Sequence, residues 1–138
     1  MSIGWVIDAS MALSWIHPAQ SSPRSEKLLS EVETGALIIV PCLWHFEIAN
    51  ILLVLQRRGK INSLERKRAV DLLSGMNFTV DEMPGNSVFE ATSALAEKHG
   101  LSIYDAAYLE LAIRRRLQLA SRDDTLNAAA SKYGLAEI

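Results

Sequence analysis

IGWVID, residues 3–8, decides how the rest of the chain is read. The run is apolar, too short for a helix, and ends at one carboxylate. It reads as a strand buried on both faces, since no polar residue alternates within it. LQLAS (117–121) has the same form and also runs into an acid, Asp123. ALIIV (36–40), closed by Pro41, is a second buried strand, and FTVDEM (78–83) is a third with more alternation. LAEI (135–138) offers a fifth.

Helices fill the intervals. Ser10 is placed to cap a short helix, SMALSWI, that stops before Pro18. PRSEKLLSEVETG (23–35) has Pro at its start and Gly at its end. Residues 43–58 form a long helix and 63–74 a more polar one. Residues 86–99 form another, with Asn86 as its cap and Gly100 after it. Residues 102–116, SIYDAAYLELAIRRR, and 124–134, DTLNAAASKYG, complete the set. Strands that alternate with helices predict an α/β fold: three α/β/α layers around a mainly parallel sheet of four to five strands. The 138 residues suit one domain, spanning 1–138.

Composition narrows the function. Hydrophobic residues make up 49 % of the chain, enough for a core, and no apolar run reaches the ~20 residues of a membrane span. The first ten residues lack the pattern of a secretory signal. The single cysteine, Cys42, rules out an internal disulfide, reads as a small packed residue, and fits a reducing cytoplasm. A net charge of −2 argues against a protein that coats nucleic acid, but not against an enzyme that meets it locally.

Ligands of open parallel sheets gather beyond the carboxyl ends of the strands. Asp8 and Asp123 stand there. Glu47 is the sole acid between Leu37 and Val54, among apolar neighbours Phe46, Ile48 and Ile51, and Asn50 shares its helix face. Asp105 opens an apolar helix, and with Ser102 it has the spacing of a capping box, which alone would explain it. Either Asp123 or Asp124 suffices as a cap for the last helix, so one is surplus. Ser121 lies two residues before Asp123, within reach of a carboxylate or a phosphate. If these acids converge, they require a cation: two unit charges ~4 Å apart cost roughly 4 kcal/mol at an effective dielectric near 20. Hard carboxylate oxygens suit Mg²⁺ or Mn²⁺.

VIDASMALSW, FEIANIL, LSIYDAAYLELA and LASRDDTL, in this order over essentially the whole chain, resemble the PIN-domain ribonucleases, and in particular the VapC-type toxins of toxin–antitoxin pairs. The resemblance implies a catalytic and metal-binding set of Asp8, Glu47, Asp105 and Asp123. Ser10, Asn50, Ser121 and Asp124 support it, with Ser at 121 where the family more often has Thr. It also implies one or two Mg²⁺ or Mn²⁺ ions and hydrolysis of an RNA phosphodiester by metal-activated water. The implied partners are the RNA substrate, a cognate antitoxin and a second copy of the chain.

Other groups have plainer readings. His17, His45 and His99 form no local acid–base pair, which favours metal-activated water over attack by an RNA 2′-hydroxyl. The basic runs Arg57–Arg58–Lys60, Arg66–Lys67–Arg68 and Arg114–Arg115–Arg116 are either solvated faces or phosphate contacts. Trp5, Trp15 and Trp44 read as core or interface residues. Leu52, Leu53 and Leu55 form an apolar helix face suited to a dimer or an antitoxin groove. Two competing readings follow from the same residues. One is a phosphotransfer or phosphatase domain with Asp8 as acceptor, although position 10 is Ser rather than a second Asp. The other is a non-catalytic module that has kept the fold.

Overall fold

A computed structural model describes residues 4–82 and 85–136. The element order is β1 (Gly4–Ile7), α1 (Ala9–Ile16), a 3₁₀ turn (Pro18–Gln20), α2 (Pro23–Glu33), β2 (Leu37–Pro41), α3 (Leu43–Arg57), α4 (Ser63–Ser74) and β3 (Phe78–Asp81). It continues with a short α5 (Gly85–Ser87), a π-helical segment (Val88–Thr92), α6 (Ser93–His99), α7 (Ile103–Arg115), β4 (Gln118–Ala120) and α8 (Asp124–Ser131).

The strands form one sheet in the order β3-β2-β1-β4, every pair parallel. Successive strand residues point to opposite faces, yet Trp5, Val6 and Ile7 are all buried, as are Ile38, Ile39 and Val40. Both faces of the central strands are therefore covered, as the polar-free sequence of β1 requires. The three-layer expectation holds. A fifth strand is present only as one parallel bridge, Leu119 to Ala136, with the Leu119 N–H donating to the Leu135 carbonyl at 2.8 Å; residues 137–138 of LAEI lie outside the described residues. Ile3 of the first run and Met83 of the third also lie outside them.

The strand order positions the site. Beyond β1 the chain first runs outward to β2 and β3, then returns to add β4 on the other side. The ends of β1 and β4 thus flank the point where the winding reverses, where open α/β sheets form their crevice.

Local differences from the sequence reading have physical causes. Asp8, not Ser10, caps α1: its Oδ1 accepts from the Met11 N–H at 2.9 Å, so the helix starts two residues earlier, at Ala9. Asn86 lies inside the short α5 rather than at a helix cap, and residues 88–92 take π-helical spacing before α6 begins. Cys42 is exposed at the N-cap of α3 rather than packed. Leu52 is buried in the core, so the free apolar face of α3 is smaller than expected. Trp5 and Trp44 belong to the core, and Trp15 packs against it while donating to the Ser25 carbonyl at 2.9 Å.

Candidate functional site

Asp8, Ser10, Glu47, Asp105, Tyr108 and Asp123, with Ala9 and Ile51, line one cleft of about 170 Å³. Its carboxylates come from four different places in the chain. Asp8 follows β1, Glu47 lies in the first half of α3, Asp105 in the first turn of α7, and Asp123 follows β4.

Asp8 is the most firmly held. It is buried, and its Oδ1 accepts from Met11 N at 2.9 Å and from Ser10 Oγ at 2.7 Å. Ser121 Oγ donates to its Oδ2 in a very short bond. Ser121 is itself fully buried and accepts the Asp123 N–H at 2.9 Å, so one hydroxyl ties the ends of β1 and β4 together. Its carbonyl is fixed by Asn127 Nδ2 at 2.8 Å and Arg24 Nη1 at 3.2 Å. Ser10 Oγ in turn accepts the Arg122 N–H at 3.1 Å. Asp123 caps α8, with its Oδ1 accepting from Thr125 N at 2.9 Å.

Asp105 answers the capping question. Its N–H donates to Ser102 Oγ at 3.1 Å, so Ser102 does cap α7. Full reciprocal capping boxes, with the return bond to the cap residue's N–H, occur at Ser22/Ser25 and Asn62/Glu65. At α7 the cap is formed by Ser102, and the Asp105 carboxylate is among the cleft-lining groups. Glu47 is half-buried, and Tyr108 Oη donates to its Oε1 at 2.5 Å.

Among the described residues, no cationic side chain lines the cleft. Burial pushes the Asp8 carboxyl up, bonds from Ser121, Met11 and Ser10 pull it back, and the Asp123 charge raises it again. Burial also raises Glu47, opposed by the Tyr108 bond and reinforced by the charges of Asp105 and Asp8. Asp105 is raised by burial and by the charges of Asp123 and Asp8, against the Ser102 hydroxyl. The ion pairs among the described residues lie elsewhere. Like charges that depress one another's ionisation create a site where a cation is favoured.

Asp81 shows the contrast. It too sits at the carboxyl end of a strand and is buried, but it accepts bonds from Arg114 at 3.1 and 2.6 Å and from Arg115 at 3.1 and 2.7 Å. Arg114 also bonds both oxygens of Glu110, at 2.8 and 3.2 Å. Two of the three arginines in that basic run are therefore spent on buried acids, while Arg116 ends α7 in the left-handed region at φ 56°. His99 has its Nε2 2.7 Å from Tyr133 Oη.

Of the eight residues singled out in the sequence, Asp8, Ser10, Glu47, Asp105 and Asp123 line the cleft, and Ser121 braces it from beneath. Asn50 and Asp124 are exposed and lie outside its lining. Tyr108 escaped the sequence reading; its one signal was its position, three residues after Asp105 and so on a neighbouring face of α7.

The donor set is all hard oxygen, which suits Mg²⁺ or Mn²⁺. Among the described residues no three His, Cys, Asp or Glu side chains stand close enough to grip an ion unaided.

A family model for the PIN domain matches residues 5–132. The chain is 29 % identical over 107 residues to the Pyrobaculum aerophilum protein named Ribonuclease VapC3, covering 78 % of this chain and 79 % of the relative. Its fold is similar to that of Mycobacterium tuberculosis VapC20, described as a sarcin-ricin loop cleaving toxin, at 14 % identity with a TM-score of 0.65, covering 91 % of this chain and 94 % of the other. Neisseria gonorrhoeae FitAcB gives a TM-score of 0.65 at 16 % identity, covering 92 % and 93 %. The carboxylate cleft thus sits on a fold and a sequence that match along nearly their full length, and the chain belongs to the PIN-domain family.

Proposed function

We propose that the protein is a metal-dependent endoribonuclease toxin of the VapC type, which hydrolyses RNA phosphodiester bonds and is neutralised by a cognate antitoxin. The observation that carries this reading is the convergence of Asp8, Glu47, Asp105 and Asp123 on one cleft with no cationic side chain among its described lining residues. Membership of the PIN-domain family and the similarity to a protein named Ribonuclease VapC3 support it.

Carboxylates of this set, with water completing the shell, would hold Mg²⁺, or Mn²⁺ in its place. When bound, the ion supplies a Lewis acid that lowers the pKa of water and offsets charge developing on the phosphate. The chain's own contribution is preorganisation. Met11 N–H and the hydroxyls of Ser10 and Ser121 aim the Asp8 carboxylate and oppose the effect of its burial. The rigid α7 presents Asp105 at a helix N-terminus, where the positive end of the dipole favours the anion. Tyr108 and α3 present Glu47 from the opposite wall. The acidic cleft repels free phosphate and accepts a phosphodiester only together with a cation, which couples substrate binding to metal binding.

The expected setting is the cytoplasm, and the expected assembly is a homodimer bound by the antitoxin. No helix among the described residues is long and apolar enough to cross a membrane. The test is RNA cleavage by the purified protein with Mg²⁺ or Mn²⁺, with a chelator, and as Asp8→Asn. Cleavage that needs the ion and is lost in a folded Asp8→Asn supports the reading. Cleavage that survives in Asp8→Asn sinks it.

A further inference from the structure

We infer that Arg122 is a phosphate anchor that leads an RNA strand to the carboxylate cleft. The inference deepens the nuclease reading above and rests on it. Arg122 lies outside the three basic runs of the sequence, in the turn between β4 and α8. Both of its chain neighbours belong to the site. Ser121 braces Asp8 from beneath, and Asp123 lines the cleft. Its own N–H donates at 3.1 Å to Ser10 Oγ, and Ser10 also lines the cleft. The backbone at 122 is therefore tied to the cleft wall, with its Cα about 3.8 Å from that of Asp123.

The side chain is held as well, without losing its charge. Arg122 Nη1 donates to Gln20 Oε1, in the 3₁₀ turn, at 2.6 Å. An amide orients a guanidinium but does not neutralise it. Among the described residues Arg122 forms no ion pair, not even with Asp123 or Asp124, which follow it. Arg114 and Arg115 are the contrast, since both are spent on Asp81. Among the described residues, Nη1 is the one donor of the Arg122 side chain with a hydrogen-bond partner, which leaves the Nε–Nη2 edge. That edge is a fork matched to two oxygens of one phosphate. The residue is exposed, so a strand can reach it from solvent. A fixed cation beside the acidic cleft offsets the repulsion that the carboxylates exert on the neighbouring phosphates of the same strand. Phosphate contacts position a strand and carry no sequence information, so Arg122 sets affinity and register rather than the cleavage sequence.

The experiment titrates a short fluorescein-labelled single-stranded RNA of mixed sequence with the protein, in chelator, and follows anisotropy between about 50 and 200 mM salt. Each phosphate contact on a single strand contributes about −0.7 to the slope of log K against log salt. Arg122→Gln should make that slope shallower by about 0.7 and weaken binding about two- to fivefold at the low-salt end, the scale of one exposed charge contact. Arg122→Lys, which keeps the charge, should keep the slope. Gln20→Glu leaves Arg122 in place, keeps an acceptor for Nη1 and cancels the charge. It should reproduce the slope of Arg122→Gln, and it carries the test if that variant fails to fold. A purely structural link between Arg122 and Gln20 would instead lower stability in urea and leave the slope unchanged. A wild-type slope in the folded variants, or a wild-type protein that does not bind the RNA, overturns the inference. RNA cleavage by wild type with Mg²⁺ then leaves the nuclease reading intact, and its absence overturns both.

Discussion

Replacing Asp81 by asparagine should destabilise the protein by about 2–3 kcal/mol at neutral pH, and the loss should disappear in acid. The carboxylate is 1 % exposed and receives four N–H bonds, at 3.1, 2.6, 3.1 and 2.7 Å, from two guanidinium groups. One hydrogen bond to a charged group contributes roughly 1.5–3 kcal/mol net. Four such terms cannot simply be added here. Arg114 and Arg115 are 41 % and 43 % exposed, so both recover water once released, and exposed pairs contribute only about 0–1 kcal/mol each. Asparagine also keeps one acceptor oxygen. What remains is the cost of a buried polar group that has lost its charge partners, hence about 2–3 kcal/mol. For a chain of this length that corresponds to a fall in Tm of roughly 6–15 °C. The bonds from Arg114, opposed by burial and aided by Arg115, hold the Asp81 carboxyl below the usual carboxylate range. A group depressed in the folded state contributes stability that is fully present above its unfolded pKa, about 3.9, and is lost as pH falls through the folded value. Urea unfolding of both proteins, followed by tryptophan fluorescence from pH 7 down to about 3, should therefore give a gap that is constant above about pH 4 and narrows progressively below it. A gap that stays constant to pH 3, or one below about 0.5 kcal/mol at pH 7, would refute the ion-pair account of this cluster.

Three further outcomes are expected. Ser121→Ala removes the donor to Asp8 Oδ2 and the acceptor for Asp123 N–H, and should lower Mn²⁺ affinity about 10- to 100-fold with a stability cost of about 1–2 kcal/mol; calorimetry and urea melts read the two effects separately. Asp8→Asn should be at least as stable as wild type in the presence of a chelator at pH 7. The reason is that the Asp8 carboxyl is raised by burial, and a group raised in the folded state contributes stability that is present below its unfolded pKa and lost as pH rises through the folded one; the advantage of the variant should shrink as pH falls toward 4. Asp124→Asn should cleave RNA within about twofold of wild type, because Asp124 is exposed outside the cleft lining.

The sheet was legible because its strands are short apolar runs: IGWVID has no polar alternation, as a covered parallel sheet requires, and LQLAS departs from that only at the exposed Gln118. The ends of those two runs also disclosed Asp8 and Asp123, and an acid in an apolar helix disclosed Glu47. What stayed hidden depends on partners distant in sequence. Tyr108 meets Glu47 from 61 positions away, and Asp81 meets Arg114 from 33. Neither spacing leaves a local pattern, so the Arg114–Arg116 run read as a surface or a phosphate contact rather than a clamp. Asp8 and Ser10 are comparable caps for α1, and only the backbone decides between candidates two residues apart. Asn50 shares a helix face with Glu47 in projection, yet the cleft is narrow enough to admit Ile51 and exclude it.

The central claim, that four separated carboxylates form one cation site, is tested most directly by calorimetric titration of the metal-free protein with Mn²⁺ at pH 7, beside Asp8→Asn. Saturable binding by wild type that is lost or weakened at least tenfold in a folded Asp8→Asn is the result expected. No Mn²⁺ binding by wild type, or equal binding by the variant, would contradict it.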